Sequence, residues 1–252
     1  MSFGTFIPVV GLNNGYPGQV SRTGGGNPFI VAKLANANNV NNISFGDPVV
    51  VLPDSAGGTY RQAADFFTNG GGLAVATSIT NTSATATPST LNGLAPGMFV
   101  MGTGIPVGTF IVSINQAAGT ITLSKAATAT NAAAALTYAP FGGIAVREVK
   151  TQLTFPVPPG TSQIGIYSPG QMCEVLVAGS ITVKINVGTP IQNGPVYLRA
   201  IVNGGIPAGL LGDLEASSDA GNNILLPNAT FKTGVLDANN VAELTLLVRV
   251  SA

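Results

Sequence analysis

The side chains that most often carry out enzyme chemistry are scarce in this sequence. Its 252 residues include no histidine, so neither a Ser-His-Asp nor a Cys-His site can form, and the commonest general base is missing. The one cysteine, Cys173, has no intrachain disulfide partner, and zinc sites of the Cys₂His₂ or His₃ type are impossible. We expect Cys173 to be a buried, unreactive thiol. Most hydrolase and zinc-protein functions are therefore disfavoured.

Two carboxylates, Asp213 and Glu215, lie two residues apart and would share one face of a strand. A glycosidase needs two carboxylates at a defined separation, usually from different strands, and the sequence does not show such a pair. We therefore expect both to be solvated loop residues. No catalytic residue is assigned, and an enzyme is not expected.

The other aspartates that stand out lie next to Gly, Pro or Asn, where a carboxylate usually accepts hydrogen bonds within a turn. A calcium site is the alternative for 219–223 and 237–240, although neither segment has a twelve-residue loop ending in glutamate. We favour turns, leave a calcium site open, and assign no metal ligand or cofactor. The aspartates concerned are Asp47, Asp54, Asp65, Asp219 and Asp237.

Two further features suggest ligand binding only weakly. Gly102, Gly104 and Gly108 lie between predicted strands and open no helix, so the dipole that binds phosphate is missing. The five tyrosines do not cluster in the sequence and there is no tryptophan, which does not favour a platform for sugar stacking.

The chain carries very little charge. Charged residues make up 8%, with ten positive and ten negative side chains, whereas a typical globular domain has roughly 25%. A neutral surface gives no counterion release, so nucleic acid and anionic membranes are not expected partners. Residues 1–8 lack a basic segment followed by a long apolar run, so we expect folding in the cytoplasm of the producing cell. Association through apolar and backbone contacts is favoured.

Composition predicts an all-β protein. The 33 glycines and 17 prolines, together with many Asn, Thr and Val, are typical of short strands joined by tight turns. We divide the chain into four segments: 1–42, an extended N-terminal arm that orders against something else; 43–69, the first part of a core β-domain; 70–139, an inserted small β-domain; and 140–252, the second part of the core.

Individual strands can be placed by their patterns. Within the inserted block, 97–101, 109–114 and 119–124 read as strands, and 126–136 as strand or loop because threonines interrupt its alanines. Residues 172–185 read as a hairpin with a loop at 178–180, which sets Glu174 opposite Lys184. The final segment, 241–250, alternates and should bury Ala242, Leu244, Leu246, Val248 and Val250.

Five turn-plus-strand segments follow one another in the sequence: 15–22, 45–50, 142–150, 167–177 and 234–237. As an ordered set, covering 1–70 and 140–252, they resemble the structural cement or decoration proteins of tailed-bacteriophage heads. The resemblance implies a small β-barrel or β-sandwich core on the outside of the head, bridging neighbouring major capsid protein subunits, with 70–139 as an addition to the usual core.

The sequence therefore favours a structural virion protein on the capsid exterior, made in the host cytoplasm. Its expected partners are the major capsid protein and copies of itself in a symmetric homo-oligomer. The alternative is a host- or glycan-binding module of a phage tail fibre or surface projection, in which 70–139 carries the binding site.

Overall fold

The computed structural model describes residues 15–20, 28–54, 57–147 and 165–247. This part of the chain is built from strands with one short helix, which confirms the all-β prediction. Helix α1 is Ala63–Asn69. The strands are β1 Phe29–Leu34, β2 Ile43–Ser44, β3 Pro48–Leu52, β4 Thr59–Gln62, β5 Leu73–Ile79, β6 Thr85–Pro88, β7 Phe99–Met101, β8 Thr109–Asn115, β9 Thr120–Leu123, β10 Asn131–Ala139, β11 Phe141–Ala145, β12 Ile166–Tyr167, β13 Met172–Lys184, β14 Pro195–Arg199, β15 Leu214–Glu215, β16 Asn223–Phe231 and β17 Val241–Leu247.

Strands β5 to β10 form a closed barrel in the order β10-β5-β6-β9-β8-β7. Alternate residues point inward, as the period of a strand requires, and closure leaves no free sheet edge. The strands predicted at 97–101, 109–114 and 119–124 are present, and 126–136 is loop followed by strand. The barrel interior is filled by Val75, Ile79, Val100, Ile111, Ile121, Leu123, Leu136 and Tyr138. The division of the chain into domains stays a proposal.

The second sheet follows the order β15-β14-β16-β17-β13-β11-β3-β4, and β1 also pairs with β13. At each end of this sheet, the edge strand forms a bridge to a residue that follows another strand of the same sheet. Tyr60 of β4 forms a parallel bridge to Ala35, the residue after β1. Leu214 of β15 forms a parallel bridge to Ile185, the residue after β13. The sheet therefore consists of two curled halves that share β13.

β13 is one continuous strand, so the hairpin predicted for 172–185 is wrong. Gly179 has a φ of 130° and still pairs with Leu246 of β17. The first half of β13 pairs with β1 and β11 instead of with its own second half. Glu174 therefore lies opposite Ala32, and Lys184 opposite Val241. Gly179 lies between Ala178 and Ser180, and a glycine between small residues has the local pattern of a turn. β13 continues through it because β1, β11 and β17 supply hydrogen bonds to the strand on both sides of Gly179.

Strands β3 and β13 are buried on both faces. Val49 and Val175 pack into one core, whereas Val50 and Leu176 pack into another. This explains the continuous apolar run of β3, because a strand covered on both sides does not alternate. Cys173 is fully buried in the first of these cores, as expected.

Part of the segment assigned to an N-terminal arm lies on the chain's own sheet. β1 pairs with β13 in antiparallel register, and Val20 forms a bridge to Ile181. Asn36 donates its backbone N–H to the carbonyl of Tyr60 over 2.8 Å. Within the described ranges, no helix is long and apolar enough to cross a membrane.

Candidate assembly surfaces and a buried charge cluster

An ion pair between Arg199 at the end of β14 and Glu215 of β15 lies in the interior of the second curled half. Both side chains are completely excluded from solvent. Arg199 donates from Nε to Glu215 Oε1 and from Nη2 to Glu215 Oε2, the latter over 2.9 Å. This two-point geometry matches the planar guanidinium to the carboxylate. Hydrogen bonding to Glu215 is the main cause that raises the pKa of Arg199.

Further polar side chains surround this pair. Arg199 Nη1 lies 2.8 Å from Asp219 Oδ2, and Asn223 Nδ2 donates to Glu215 Oε2 over 2.8 Å. The amides of Asn203 and Asn222 donate to Asp219. Hydrogen bonds from Asn203, with the contribution of Arg199, lower the pKa of Asp219. Each charge in the cluster is therefore hydrogen-bonded, which offsets the free energy of burying it.

The expectation that Glu215 is a solvated loop residue is wrong, because it is buried in a strand. Asp213 is partly buried and accepts a hydrogen bond from Asn186 over 2.9 Å. Burial, opposed by that bond, raises the pKa of Asp213. Glu215 is committed to Arg199 and Asn223, so the arrangement stabilises the fold and is not a pair of carboxylates free for acid–base catalysis.

The charge cluster fixes the loop that connects β14 to β15. A Cβ atom on Gly209 would lie 2.7 Å from Glu215 Oε1 and would also enter the Arg199 guanidinium. The loop therefore packs directly on the ion pair at a glycine, while Val202 and Leu210 of the same loop are well exposed. A buried ion pair thus holds apolar side chains at the surface.

The other aspartates divide between turns and longer-range roles. Asp54 accepts from the N–H of Gly58, and Asp237 from those of Asn239 and Val241, as expected of turn residues. Asp65, in contrast, lies in α1 and accepts from the N–H of Val40 over 2.8 Å. It therefore ties the 36–40 loop to the helix instead of closing a turn.

Asp47 precedes β3 and joins two elements. Its Oδ2 accepts from the N–H of Ser44 over 2.7 Å and from Gln62 Nε2 over 2.6 Å. It lines a crevice together with Lys184, Asn186 and Asp213. Burial raises the pKa of Asp47 to about 6, against the opposing effect of its hydrogen bonds. The described residues hold no group of three Asp, Glu or Cys side chains suited to a metal ion.

The other features considered as ligand sites have structural roles. The 102–108 segment connects β7 to β8 and opens no helix. Tyr60, Tyr138 and Tyr167 are buried, so they present no stacking surface, while Tyr16 lies under the guanidinium of Arg147, 4.3 Å from the ring centre.

The outward face of β13 and β17, from Ala178 to Thr182, is a candidate contact surface; we call it the exit face. Residues directly opposite one another in a sheet share a face. Ala178 pairs with both Phe29 and Leu247, so these three form one row. Phe29 is 54% exposed and Leu247 62%. The next row is Ser180 beside Thr245, whose hydroxyl oxygens lie 3.2 Å apart.

The third row of the exit face is Thr182 opposite Glu243. Thr182 Oγ1 donates to the carbonyl of Tyr16 over 2.6 Å, so the segment 15–20 crosses this end of the face. Glu243 is neutralised by Lys232, 2.7 Å away. The exit face is thus apolar at one end, hydroxyl-bearing in the middle and neutral throughout.

Sequence reasoning did not identify Arg199 or the exit face. Arg199 is the charged residue at the end of the otherwise uncharged strand β14. A lone charge in such a strand is the sequence signal that could have identified it. The exit face combines residues 29, 178 and 247, which come together only through long-range strand pairing.

The described residues form an all-β architecture of a barrel and a curled sheet, and the buried charges Arg199 and Glu215 are paired with each other. A family model described as structural cement protein (E217 gp24/Pam3 gp6) matches residues 67–247. The match covers well over half of the chain, so the chain belongs to this family of phage structural cement proteins. The family is a structural one and not an enzyme family, and the chain's role is that of a capsid-associated structural protein of a phage virion.

A solved structure titled "The capsid of Myoviridae Phage XM1" is similar to this chain at 16% sequence identity and a TM-score of 0.44, over 98% of each chain. No curated protein matches. The family match includes residues 70–139, whereas the resemblance drawn from the sequence treated this segment as an addition to the usual core. The match does not include residues 1–66, which that resemblance did include.

Proposed function

We propose that this protein binds the outside of a phage head and bridges neighbouring major capsid protein subunits, stabilising the shell. Membership of the structural cement protein family carries the proposal. The described surface supports it, because well-exposed apolar side chains occur on a chain with 8% charged residues. Such a surface favours association through apolar and backbone contacts over ion pairs.

The mechanism is many modest contacts multiplied by the symmetry of the shell. Each copy contributes limited apolar area, but simultaneous contact with several subunits converts later binding steps into intramolecular ones. Symmetric homo-oligomers on the head would extend the same effect. Affinity for heads should therefore depend little on salt, since few ion pairs contribute.

The decisive experiment is a cryo-electron microscopy reconstruction of the particle that carries this protein. We expect density on the outer surface of the head that spans neighbouring capsid subunits. Density confined to the tail or its fibres would overturn the proposal and favour the host- or glycan-binding alternative.

A binding assay supplies an independent test. Purified protein should co-sediment with expanded heads that lack it, and the bound fraction should change less than twofold between low and moderate salt. Loss of most binding over that range would contradict a contact dominated by apolar and backbone groups.

A further inference from the structure

Five asparagines in this chain are followed directly by a glycine, and such pairs are open to a chemical reaction within the backbone. The side-chain amide of the asparagine can be attacked by the backbone nitrogen of the next residue. Glycine favours this attack because it has no Cβ, so its backbone approaches the side chain closely. Four of the pairs lie within the described residues, and the first lies outside them. The asparagines are Asn14, Asn69, Asn92, Asn193 and Asn203.

In two of the described pairs, the glycine nitrogen that would attack is already engaged in a hydrogen bond. The N–H of Gly70 donates to the carbonyl of Phe66 over 2.7 Å, at the end of helix α1. The N–H of Gly194 donates to the carbonyl of Ile191 over 2.7 Å. Each nitrogen is held towards an acceptor other than the preceding side chain, so attack first requires this bond to break.

In a third pair, the asparagine side chain is held in place. Asn203 Nδ2 donates to Asp219 Oδ2 over 3.0 Å, and Asn203 Oδ1 accepts from the N–H of Gly205 over 2.9 Å. Asp219 is in turn paired with Arg199, so Asn203 is part of the buried charge cluster. Rotating this amide towards the nitrogen of Gly204 would break both of its hydrogen bonds.

The remaining pair, Asn92 and Gly93, lacks these restraints. Both residues are exposed and occupy the centre of a turn closed by the N–H of Leu94, which donates to the carbonyl of Leu91 over 3.1 Å. The backbone N–H of Asn92 donates to Thr90 Oγ1 over 3.1 Å. Within the described ranges, no hydrogen bond holds the Asn92 side chain or the N–H of Gly93. The attacking nitrogen and the attacked amide are therefore both free to meet.

We propose that Asn92 is a site of spontaneous deamidation, with water as the only co-reactant. The Gly93 nitrogen loses its proton and forms a bond to Asn92 Cγ, while the bond from Cγ to Nδ2 breaks and ammonia leaves with that proton. Water then opens the resulting five-membered imide ring. Water adding at the former side-chain carbonyl gives aspartate, and water adding at the backbone carbonyl gives isoaspartate. Asparagine is already among the residues least stable to heat in proteins.

The reaction changes the charge and the backbone of the barrel. Lys125 is the only charged residue in 70–139, so a carboxylate at position 92 is the first negative charge in this segment. Isoaspartate also lengthens the backbone of the turn by one methylene. Leu94 is buried in the barrel interior and Leu91 packs against it, so the altered turn is anchored directly to the core. The inference goes beyond the proposed function and does not depend on it.

The test is to incubate the full-length protein at neutral and mildly alkaline pH and to follow each pair by tandem mass spectrometry, which detects the exchange of an amide for a carboxyl. We expect Asn92 to convert at least tenfold faster than Asn69, Asn193 and Asn203. The rate should rise with pH, because the attacking nitrogen must lose its proton. In denaturing urea, we expect the four rates to lie within about threefold of one another, because the local sequence is then the same and the folded restraints are gone.

The comparison between folded and unfolded protein decides the inference. Conversion of Asn92 in the folded protein at no more than the rate of the other three would overturn it. The same order of rates in urea would also overturn it, because the fold would then not be the cause of the selection. Asn92→Gln is the matched variant, since attack on glutamine must close a larger ring. It should show at least tenfold slower deamidation at position 92 and unchanged rates at the other three, and undiminished conversion at position 92 would contradict the ring mechanism.

Discussion

Arg199 and Glu215 form a two-point ion pair in which neither side chain is accessible to solvent. The partners come from different strands, and the loop between those strands packs on the pair through Gly209. In a chain with 8% charged residues, two of the few charges are thus used to fix a surface loop.

Removing the carboxylate should strongly destabilise the fold. Glu215→Ala leaves the Arg199 guanidinium buried without its main partner, and breaking a buried pair in this way costs about 3–5 kcal/mol. Urea denaturation followed by circular dichroism measures the loss. Glu243→Ala is the control, because its pair with Lys232 keeps some contact with solvent, so its loss should cost less than that of a pair fully excluded from solvent. Equal losses in the two variants would refute the role assigned to Glu215.

A single methyl group on the loop should have a similar effect. Gly209→Ala forces a Cβ against Glu215 and Arg199, and overpacking of this kind costs about 1–3 kcal/mol. The matched control is Gly204→Ala in the same loop, where a Cβ would meet no atom within 4 Å. Thermal unfolding should show a lower midpoint for Gly209→Ala alone. An unchanged midpoint would show that the loop moves freely away from the ion pair.

Stability should depend on pH through Asp47. Its pKa is raised by burial from 3.8 to about 6, so the folded state binds this proton more tightly than the unfolded state. The resulting stabilisation is complete below about pH 4 and is lost as the pH rises through about 6. Asp47→Asn should therefore raise stability above about pH 7 by about 1–3 kcal/mol, at 1.36 kcal/mol per pKa unit.

The measurement for Asp47 is a series of urea unfolding curves between about pH 4 and pH 8. Asp213 responds with the same sign, because burial also raises its pKa, and its charge adds to the rise in the pKa of Asp47. The difference between wild type and Asp47→Asn therefore measures Asp47 together with this coupling. Asp54→Asn, in an exposed turn, is the matched control for the Asp-to-Asn substitution itself. A variant less stable than wild type at about pH 8 would contradict the sign.

The last described strand should be required for solubility. β17 lies between β13 and β16, so deleting 241–252 exposes both neighbours, and we expect the truncated chain to be insoluble. Point variants refine the test: Leu244→Asp buries a charge, whereas Leu247→Asp places it in solvent. Only the second should yield soluble, folded protein by size-exclusion chromatography. A soluble, monodisperse deletion variant would refute the requirement.

The alternation of 241–247 correctly predicted that Ala242, Leu244 and Leu246 are buried, because period-two patterning is a local property; Val248 and Val250 lie outside the described residues. The 172–185 segment shows the limit of such reasoning. Its local pattern fits a hairpin and a continuous strand equally well, and the outcome depends on pairing with β1, β11 and β17, which are distant in the sequence.

Histidine-dependent catalysis is impossible, strands dominate and the chain is neutral, and all three can be read from composition and short-range periodicity. The burial of Glu215 against Arg199, and the row formed by Phe29, Ala178 and Leu247, arise only in the folded chain. Those relationships depend on which distant strands pair and in what register, and a shift of one residue would move each of these side chains to the opposite face.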